Sequence, residues 1–593
     1  MKPSISTLQQ RVFHYLKNGQ LSEARTLLEE VCLPGNSDKQ AWLMLASVTG
    51  KLEDYPAAER CCRAALELDA KFAEAHFHLG NALREQARLP EAIRSYQNAI
   101  SCNPDFANAY YWLGNVLRKT WQHDKAVQAF RQALNINPAN VNVLYDLGNT
   151  YKAQGRVLEA IDCFRQVLEI KPDFAMAQMT IAACMNRSDS FDRTTVLEQH
   201  RRWGEMQEKC SVRRTGYKNT PDPDRLLRIG YVSPDFRKHS VAYFFEPILA
   251  NHDTDKYEIT CYAELDQQDE VSKRLQAIAH AWRETKGLKS DELAALIQSD
   301  KIDILVDLAG LTTGNRLDSF VNKPAPVQMT YLGYAATTGL SCMDYRITDE
   351  LSDPPGKCEQ DYTETLVRLP HGFLCYKPSA NSPELSSLPA KKTRHITFGS
   401  FNNLIKITPD VVRVWSTILK SVKYSRLIMK ALRFNDRSIQ DRYFRLFQNH
   451  GIPRNRVQMM GRIASEYDHL NMYSQVDIAL DTFPYNGTTT TCDALWMGVP
   501  VIAIKGSRHI SRVSWSIIHQ VGLDELVADN EDDYINTAIE LAGDKDRLAQ
   551  LRSTIRNLVA DSTLCDPVSF TKNIEAAYRD AWARWCSEAH SIK

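Results

Sequence analysis

From about residue 5 to residue 185, apolar positions recur every three to four residues, the spacing of one face of an α-helix, and short polar turns separate the stretches. After Arg225 the pattern changes, and short apolar runs alternate with helical stretches. The runs Leu227–Val232, Tyr257–Tyr262, Ile302–Leu308, Val327–Gly333 and Tyr345–Thr348 predict strands of a mostly parallel α/β sheet. A loop from Lys377 to Lys392, holding Pro378, Pro383 and Pro389, precedes a second series: His395–Phe401, Ser425–Lys430, Arg456–Met460, Val476–Leu480 and Pro500–Lys505. Two such sheets in tandem imply a cleft, with ligands outside the carboxyl ends of the strands. A final helix from about Ser569 to Trp585 gathers Phe570, Ile574, Ala577, Tyr578 and Ala581 on one face and is expected to pack back onto one of the sheets.

The helical third repeats itself. Gly80, Gly114 and Gly148 are 34 residues apart, and so are Ala58, Ala92, Ala126 and Ala160, and Pro104, Pro138 and Pro172. Two helices per unit, small residues at close crossings and a proline after the second helix are the tetratricopeptide signature. Residues 1–185 therefore predict an all-α tetratricopeptide solenoid of about five units. The outer units are degenerate, with Ala46 in place of the glycine and Ala70 in place of the proline, as expected of a cap. Asn81, Asn115 and Asn149 follow the glycines inside first helices, where asparagine is inferior by about half a kcal/mol. An amide that both donates and accepts can grip a peptide backbone along the groove, or it can join one repeat to the next.

Composition excludes more than it selects. Of 593 residues 44% are hydrophobic and 24% charged, and 72 Lys+Arg balance 72 Asp+Glu, so no global field draws in nucleic acid or an acidic membrane. Fourteen scattered cysteines without a C-x-x-C pair indicate neither a zinc site nor a disulfide framework. No apolar leader region follows Met1, and no run of about 18 apolar residues appears, so a cytoplasmic protein is expected. Residues 186–225 read as a helical linker with Arg213-Arg214 and the boundary prolines Pro221 and Pro223. The acid pairs Asp222/Asp224, Asp253/Asp255 and Asp544/Asp546 fall in loops or helix ends, and no metal is expected. The α/β halves span 226–385 and 386–565, with the last helix in 566–593.

The chemistry concentrates in the stretch Asp477 to Pro500. The strand Ile478–Leu480 is broken by Pro484, Asn486 and Gly487, and Thr488, Thr489, Thr490 and Thr491 then stand at a helix start. Free N–H groups and a positive dipole end there favour a phosphate or diphosphate, although the same threonines also suit a plain helix cap. Other strand ends would open onto the same cleft. One carries Asp235, Arg237, Lys238 and His239, and another carries Asn402, Asn403 and Lys406, with Thr408-Pro409 starting a helix. A third segment holds Glu466, Asp468 and His469. A lysine about 4 Å from a diphosphate gains about 4 kcal/mol at an effective ε of ~20, and more as charge develops on a departing diphosphate. A histidine can take a proton from a hydroxyl or orient a sugar, and His469 offers a flat ring to a nucleobase.

The segments His239-Ser-Val-Ala-Tyr-Phe, Lys323-Pro-Ala-Pro-Val-Gln328, Leu332-Gly-Tyr, Thr337-Thr-Gly339, Met343 to Asp349, Gly399-Ser-Phe-Asn-Asn-Leu404, Lys406-Ile-Thr-Pro and Asp481 to Pro500 resemble glycosyltransferase family 41. That family contains the protein O-GlcNAc transferases and the SPINDLY-type protein O-fucosyltransferases. The resemblance covers essentially the whole chain. It implies a protein-binding array joined to a GT-B transferase of two Rossmann-like domains that glycosylates Ser or Thr with inversion and without a metal or other cofactor. Residue by residue, it implies the catalytic lysine at Lys406 and a donor-site amide at Asn403. The first-sheet histidine falls on His239, the base-stacking histidine on His469, diphosphate contacts on Thr489 and Thr490, and the acid near the ribose on Asp493. Thr488 stands where the animal O-GlcNAc enzyme has histidine, and Glu466 where it has lysine. UDP-GlcNAc is the donor the resemblance implies first and GDP-fucose its rival. The alternative from another class is a scaffold that binds protein through its repeats and transfers nothing.

Overall fold

The computed structural model describes residues 5–33, 38–209, 211 and 216–591. Met1 to Ser4 and the pair Arg213-Arg214 lie outside the described residues. The chain falls into two compact units, one built from Met1–Lys171 with Asp436–Ile439, the other from Pro172–Asn435 and Gln440–Lys593.

The first unit is a run of helix pairs: Lys39–Lys51 with Tyr55–Leu68, Ala73–Glu85 with Leu89–Cys102, Ala107–Lys119 with His123–Ile136, and Val141–Ala153 with Val157–Ile170. The period has a steric cause. A Cβ built on Gly80 would lie 2.6 Å from Tyr96, and on Gly114 or Gly148 it would lie 2.7 Å from Phe130 or Phe164. In each unit an aromatic ring from the second helix thus fills the space over the first helix's glycine, and alanine would collide with it. The turns repeat as well: Glu53, Ala87, Trp121 and Gly155 are all left-handed, with φ of 61°, 58°, 59° and 73°.

The second unit holds two sheets, and every strand pairing in both is parallel. The first contains β1 (Leu227–Ser233), β2 (Tyr257–Ala263), β3 (Ala281–Glu284), β4 (Ile304–Asp307), β5 (Val327–Thr330), β6 (Tyr345–Asp349) and β7 (Thr365–Leu369), in the order β3-β2-β1-β4-β5-β6-β7. The second contains β8 (Thr397–Ser400), β9 (Arg426–Lys430), β10 (Val457–Met460), β11 (Ile478–Leu480), β12 (Val501–Ile504) and β13 (Val527–Ala528), in the order β10-β9-β8-β11-β12-β13. Both are doubly wound and reverse direction between their first and fourth strands, the switch point where such sheets bind ligands. The predicted strands are present; β1, β2 and β6 run one residue longer than predicted and the others one to three residues shorter. The sequence pattern missed β3, β7 and β13. All three are edge strands. β3 and β7 are partly exposed, and β13 is two residues long, so none carries the apolar run that marks a buried strand.

The last helix, Pro567–Ser591, returns to the first sheet. The Tyr578 and Tyr231 hydroxyls are 2.9 Å apart, and Glu575 accepts from the backbone N–H of Asp253 at 2.8 Å. Tyr578 and Trp582 are fully buried in this contact. The helix Ala175–Asn186 and the connector helix Arg193–Glu208 also belong to this unit, and Glu208 accepts from the backbone N–H of Ser341 at 2.7 Å.

Candidate active site

The two central strands of the second sheet deliver the first part of the site. β8 ends at Ser400 and is followed by Asn402 and Asn403, and a short turn, Leu404–Lys406, then carries the lysine. Asn403 caps that turn by accepting from the N–H of Ile405 at 3.3 Å. β11 runs into a loop that closes on Gly487. The Gly487 N–H donates to Asp481 Oδ1 at 2.7 Å, and a Cβ on Gly487 would lie 2.5 Å from Thr491 Oγ1. Only glycine lets the loop fold this tightly. The helix Thr489–Trp496 follows, with Thr488 at its N-cap at φ −129°, ψ −85°, and no side chain caps it. The threonines are therefore not spent as a cap, and the first N–H groups of the helix remain open.

Lys406 is aimed at the same place. Its Nζ donates to the carbonyl of Asn486 at 2.7 Å and lies 3.8 Å from the centroid of the Tyr485 ring. Burial lowers the pKa of this amine, while Tyr485 and Asp481 push it back up. Asn402 bridges the two strand ends: its Nδ2 donates to Asp481 Oδ1 at 3.2 Å and its Oδ1 accepts from Thr490 Oγ1 at 3.0 Å.

The first sheet contributes His239, at the end of the loop after β1. Its Nδ1 accepts from the Val241 N–H at 3.3 Å, capping the helix Ser240–Leu249, and stands 3.5 Å from Asp235. Burial lowers its pKa, against the opposing pull of Asp235. A ring whose Nδ1 accepts carries its proton on Nε2, so the neutral side chain acts as a donor. His239, Asn403, Lys406, Thr488, Thr489 and Thr490 line one cavity of about 340 Å3.

His469 and Asp493 are paired beside that cavity rather than on its wall. His469 Nδ1 lies 2.8 Å from Lys430 Nζ, its Nε2 lies 3.6 Å from Asp493 Oδ2, and Asp493 Oδ1 accepts from Tyr376 at 2.7 Å. With Lys430 donating to Nδ1, the Nε2–H of His469 points to Asp493, which fixes the ring plane. Asp493 lies on the helix whose first turn is Thr489 and Thr490, so this cluster and the open helix end are parts of one element. A second cavity, of about 720 Å3, adjoins the cluster and is lined by Tyr243, Glu466, Lys238, Lys273, Arg274 and Lys377 among others.

Sequence reasoning placed Asn402 at a strand end on the cleft and passed over Lys430, Tyr376 and Tyr485 as site residues. Lys430 looked like the end of a strand, and its partner His469 is 39 positions away. The array asparagines belong to the other unit. There Asn81 Oδ1 accepts from Tyr96 at 2.8 Å, and Asn115 donates to the Tyr111 carbonyl at 3.3 Å and accepts from Arg118 at 3.1 Å. Part of their hydrogen-bonding capacity is thus spent inside the array. Among the described residues, no group of three His, Cys, Asp or Glu could hold a metal, and no helix is long and apolar enough to cross a membrane.

Two doubly wound parallel sheets whose switch-point loops share a cavity define the GT-B fold. The chain belongs to glycosyltransferase family 41, whose pattern it matches over residues 206–386 and 384–574, and tetratricopeptide patterns match residues 39–72 and 105–173. It is 43% identical over 419 residues to "Probable UDP-N-acetylglucosamine--peptide N-acetylglucosaminyltransferase SPINDLY" of Solanum lycopersicum, a match covering 70% of this chain and 45% of that protein. The protein of the same name from Arabidopsis thaliana is 42% identical, with 70% and 46% covered. The chain thus spans about half the length of the curated relatives it matches. Among solved structures, an O-GlcNAc transferase mutant of Thermobaculum terrenum superposes with a TM-score of 0.79 at 32% identity, covering 88% of this chain and 99% of that one.

Proposed function

We propose that this chain transfers a sugar from a nucleotide-sugar donor to Ser or Thr hydroxyls of protein acceptors, with inversion at the anomeric carbon, and that UDP-GlcNAc is its donor. The observation that carries this reading is Lys406, a half-buried cation fixed by the Asn486 carbonyl and the Tyr485 ring beside an uncapped helix start. A diphosphate seated there meets a lysine and open N–H groups. The acceptor oxygen forms a bond to the anomeric carbon and gives up its hydroxyl proton to solvent, the bond from that carbon to the diphosphate oxygen breaks, and its electron pair stays on the diphosphate. Lys406 and the helix dipole stabilise that charge more as it grows, which is the condition for catalysis. His239, a donor through Nε2, orients an oxygen in the cavity, and His469, held by Lys430 and Asp493, stacks on the base. The names of the relatives support UDP-GlcNAc.

One observation favours GDP-fucose as the second reading. Glu466 stands at the cavity of about 720 Å3, three residues before His469 on the short helix Glu466–Asn471. A carboxylate can accept from the adjacent N1–H and N2–H of guanine, whereas uracil offers a single N–H between two carbonyl oxygens. In either reading the array holds the acceptor through Asn81, Asn115 and Asn149. Isothermal titration with UDP, GDP, UDP-GlcNAc and GDP-fucose tests the proposal. Binding of one diphosphate and its sugar supports it and names the donor, while binding of none leaves only a protein-binding scaffold.

A further inference from the structure

One histidine on the cavity wall has no part in the reaction described above. His509 lines the cavity that holds Lys406 and Thr488, and it is 4% exposed. Its Nδ1 lies 2.7 Å from Oδ2 of Asp353, a fully buried carboxylate. Asp353 also accepts from Thr348 Oγ1 at 2.5 Å and from the Tyr362 hydroxyl at 2.7 Å. Burial by itself would raise the pKa of this carboxyl. The hydrogen bonds from His509 and Thr348 and the charge of Arg346 outweigh burial and hold it below the usual carboxylate range. With Nδ1 facing the Asp353 carboxylate, the neutral form of the ring keeps its proton on Nδ1 and presents Nε2 as the acceptor. Nε2 has no hydrogen-bond partner among the described residues.

The position is as specific as the tautomer. The Asn486 N–H donates to the Ile510 carbonyl at 3.0 Å, and Ser514 Oγ donates to the Gly487 carbonyl at 3.0 Å. The segment 509–514 is therefore stitched to the loop whose Asn486 carbonyl holds Lys406. A nucleotide sugar is linear: base, diphosphate, sugar. With the base end marked by His469 and Asp493 and the diphosphate by Thr489 and Thr490, the sugar meets the remaining wall, formed by Leu332, Gly333, Phe373 and His509. The Phe373 ring stands edge-on to His509, with centroids 5.0 Å apart and planes at 60°. An apolar surface beside one oriented acceptor suits a sugar, which offers a C–H face and hydroxyl donors.

We propose that His509, oriented by Asp353, accepts a hydrogen bond from a hydroxyl of the donor's sugar and helps determine which sugar is used. This rests on the nucleotide-sugar reading, and the test separates the two. The full chain, its His509→Phe variant and its His509→Gln variant are titrated with UDP, GDP, UDP-GlcNAc and GDP-fucose. In His509→Phe the sugar nucleotide preferred by the wild type is expected to bind about tenfold more weakly, the scale of one buried hydrogen bond, with the matching diphosphate changed by less than about twofold. His509→Gln, which keeps an acceptor, is expected to recover part of the loss. Equal weakening of diphosphate and sugar nucleotide in both variants would show a merely structural role and overturn the proposal. So would unchanged sugar-nucleotide affinity with a collapsed kcat, which would make His509 a proton acceptor. If the wild type binds none of the four, the nucleotide-sugar reading itself fails. Binding without a sugar-dependent loss in the variants defeats the His509 assignment alone.

Discussion

The ammonium of Lys406 lies 3.8 Å from the centre of the Tyr485 ring, and Arg187 stands on the same ring at 6.0 Å. The ring's negative face helps keep Lys406 charged in a site whose burial works against the charge. Lys406 serves the diphosphate only as a cation, so activity is present below its pKa and lost as pH rises through it. Replacing Tyr485 with leucine removes a group that raises that pKa. The alkaline limb of kcat is expected to move to lower pH in Tyr485→Leu and to stay near the wild-type position in Tyr485→Phe, which keeps the ring. A pH profile of both variants checks this, and an unshifted limb in Tyr485→Leu would show that the ring contributes nothing to the lysine.

Gly487 packs against Thr490 and Thr491, where a Cβ would lie 2.7 and 2.5 Å from their hydroxyl oxygens. Gly487→Ala must push the helix start out of place, so diphosphate affinity is expected to fall by at least about tenfold while the melting temperature changes little. Titration of the variant with UDP and GDP reads the first quantity, and calorimetry reads the second.

In the array, Gly114→Ala places a methyl group 2.7 Å from Phe130. Overpacking of this kind costs about 1–3 kcal/mol. A denaturant melt of Gly114→Ala should show that loss, and the double variant with Phe130→Leu should regain part of it, because the smaller side chain leaves room for the methyl.

The asparagine ladder makes a separate prediction. Asn81 and Asn115 are partly engaged within the array, but each keeps capacity for a peptide. Replacing Asn81, Asn115 and Asn149 together with alanine is expected to raise KM for protein acceptors several-fold and to leave nucleotide affinity unchanged. An unaltered KM would assign these amides to the architecture of the repeats.

How much of this was legible beforehand depended on where each residue's partner sits. The 34-residue period was plain because Gly80 and Tyr96, and their counterparts in the next two repeats, are local pairs at a fixed spacing. The open helix start after β11 was legible because Asn486, Gly487 and the threonines are contiguous. Lys430 beside His469 and Asp353 beside His509 were not. These pairs are brought together by strand order across 39 and 156 positions, and no periodicity marks them. Thr488 shows the middle case. The sequence left it between a helix cap and an anion site, and the structure shows that it makes no side-chain cap.

That Lys406 stabilises a departing diphosphate is tested most directly by measuring sugar transfer to protein in Lys406→Met beside the wild type, with nucleotide binding and melting temperature followed in the same samples. The expected result is a loss of at least about 100-fold in kcat with the fold intact and nucleotide still bound, the scale of removing one preorganised group that meets developing charge. Full activity in Lys406→Met would contradict it.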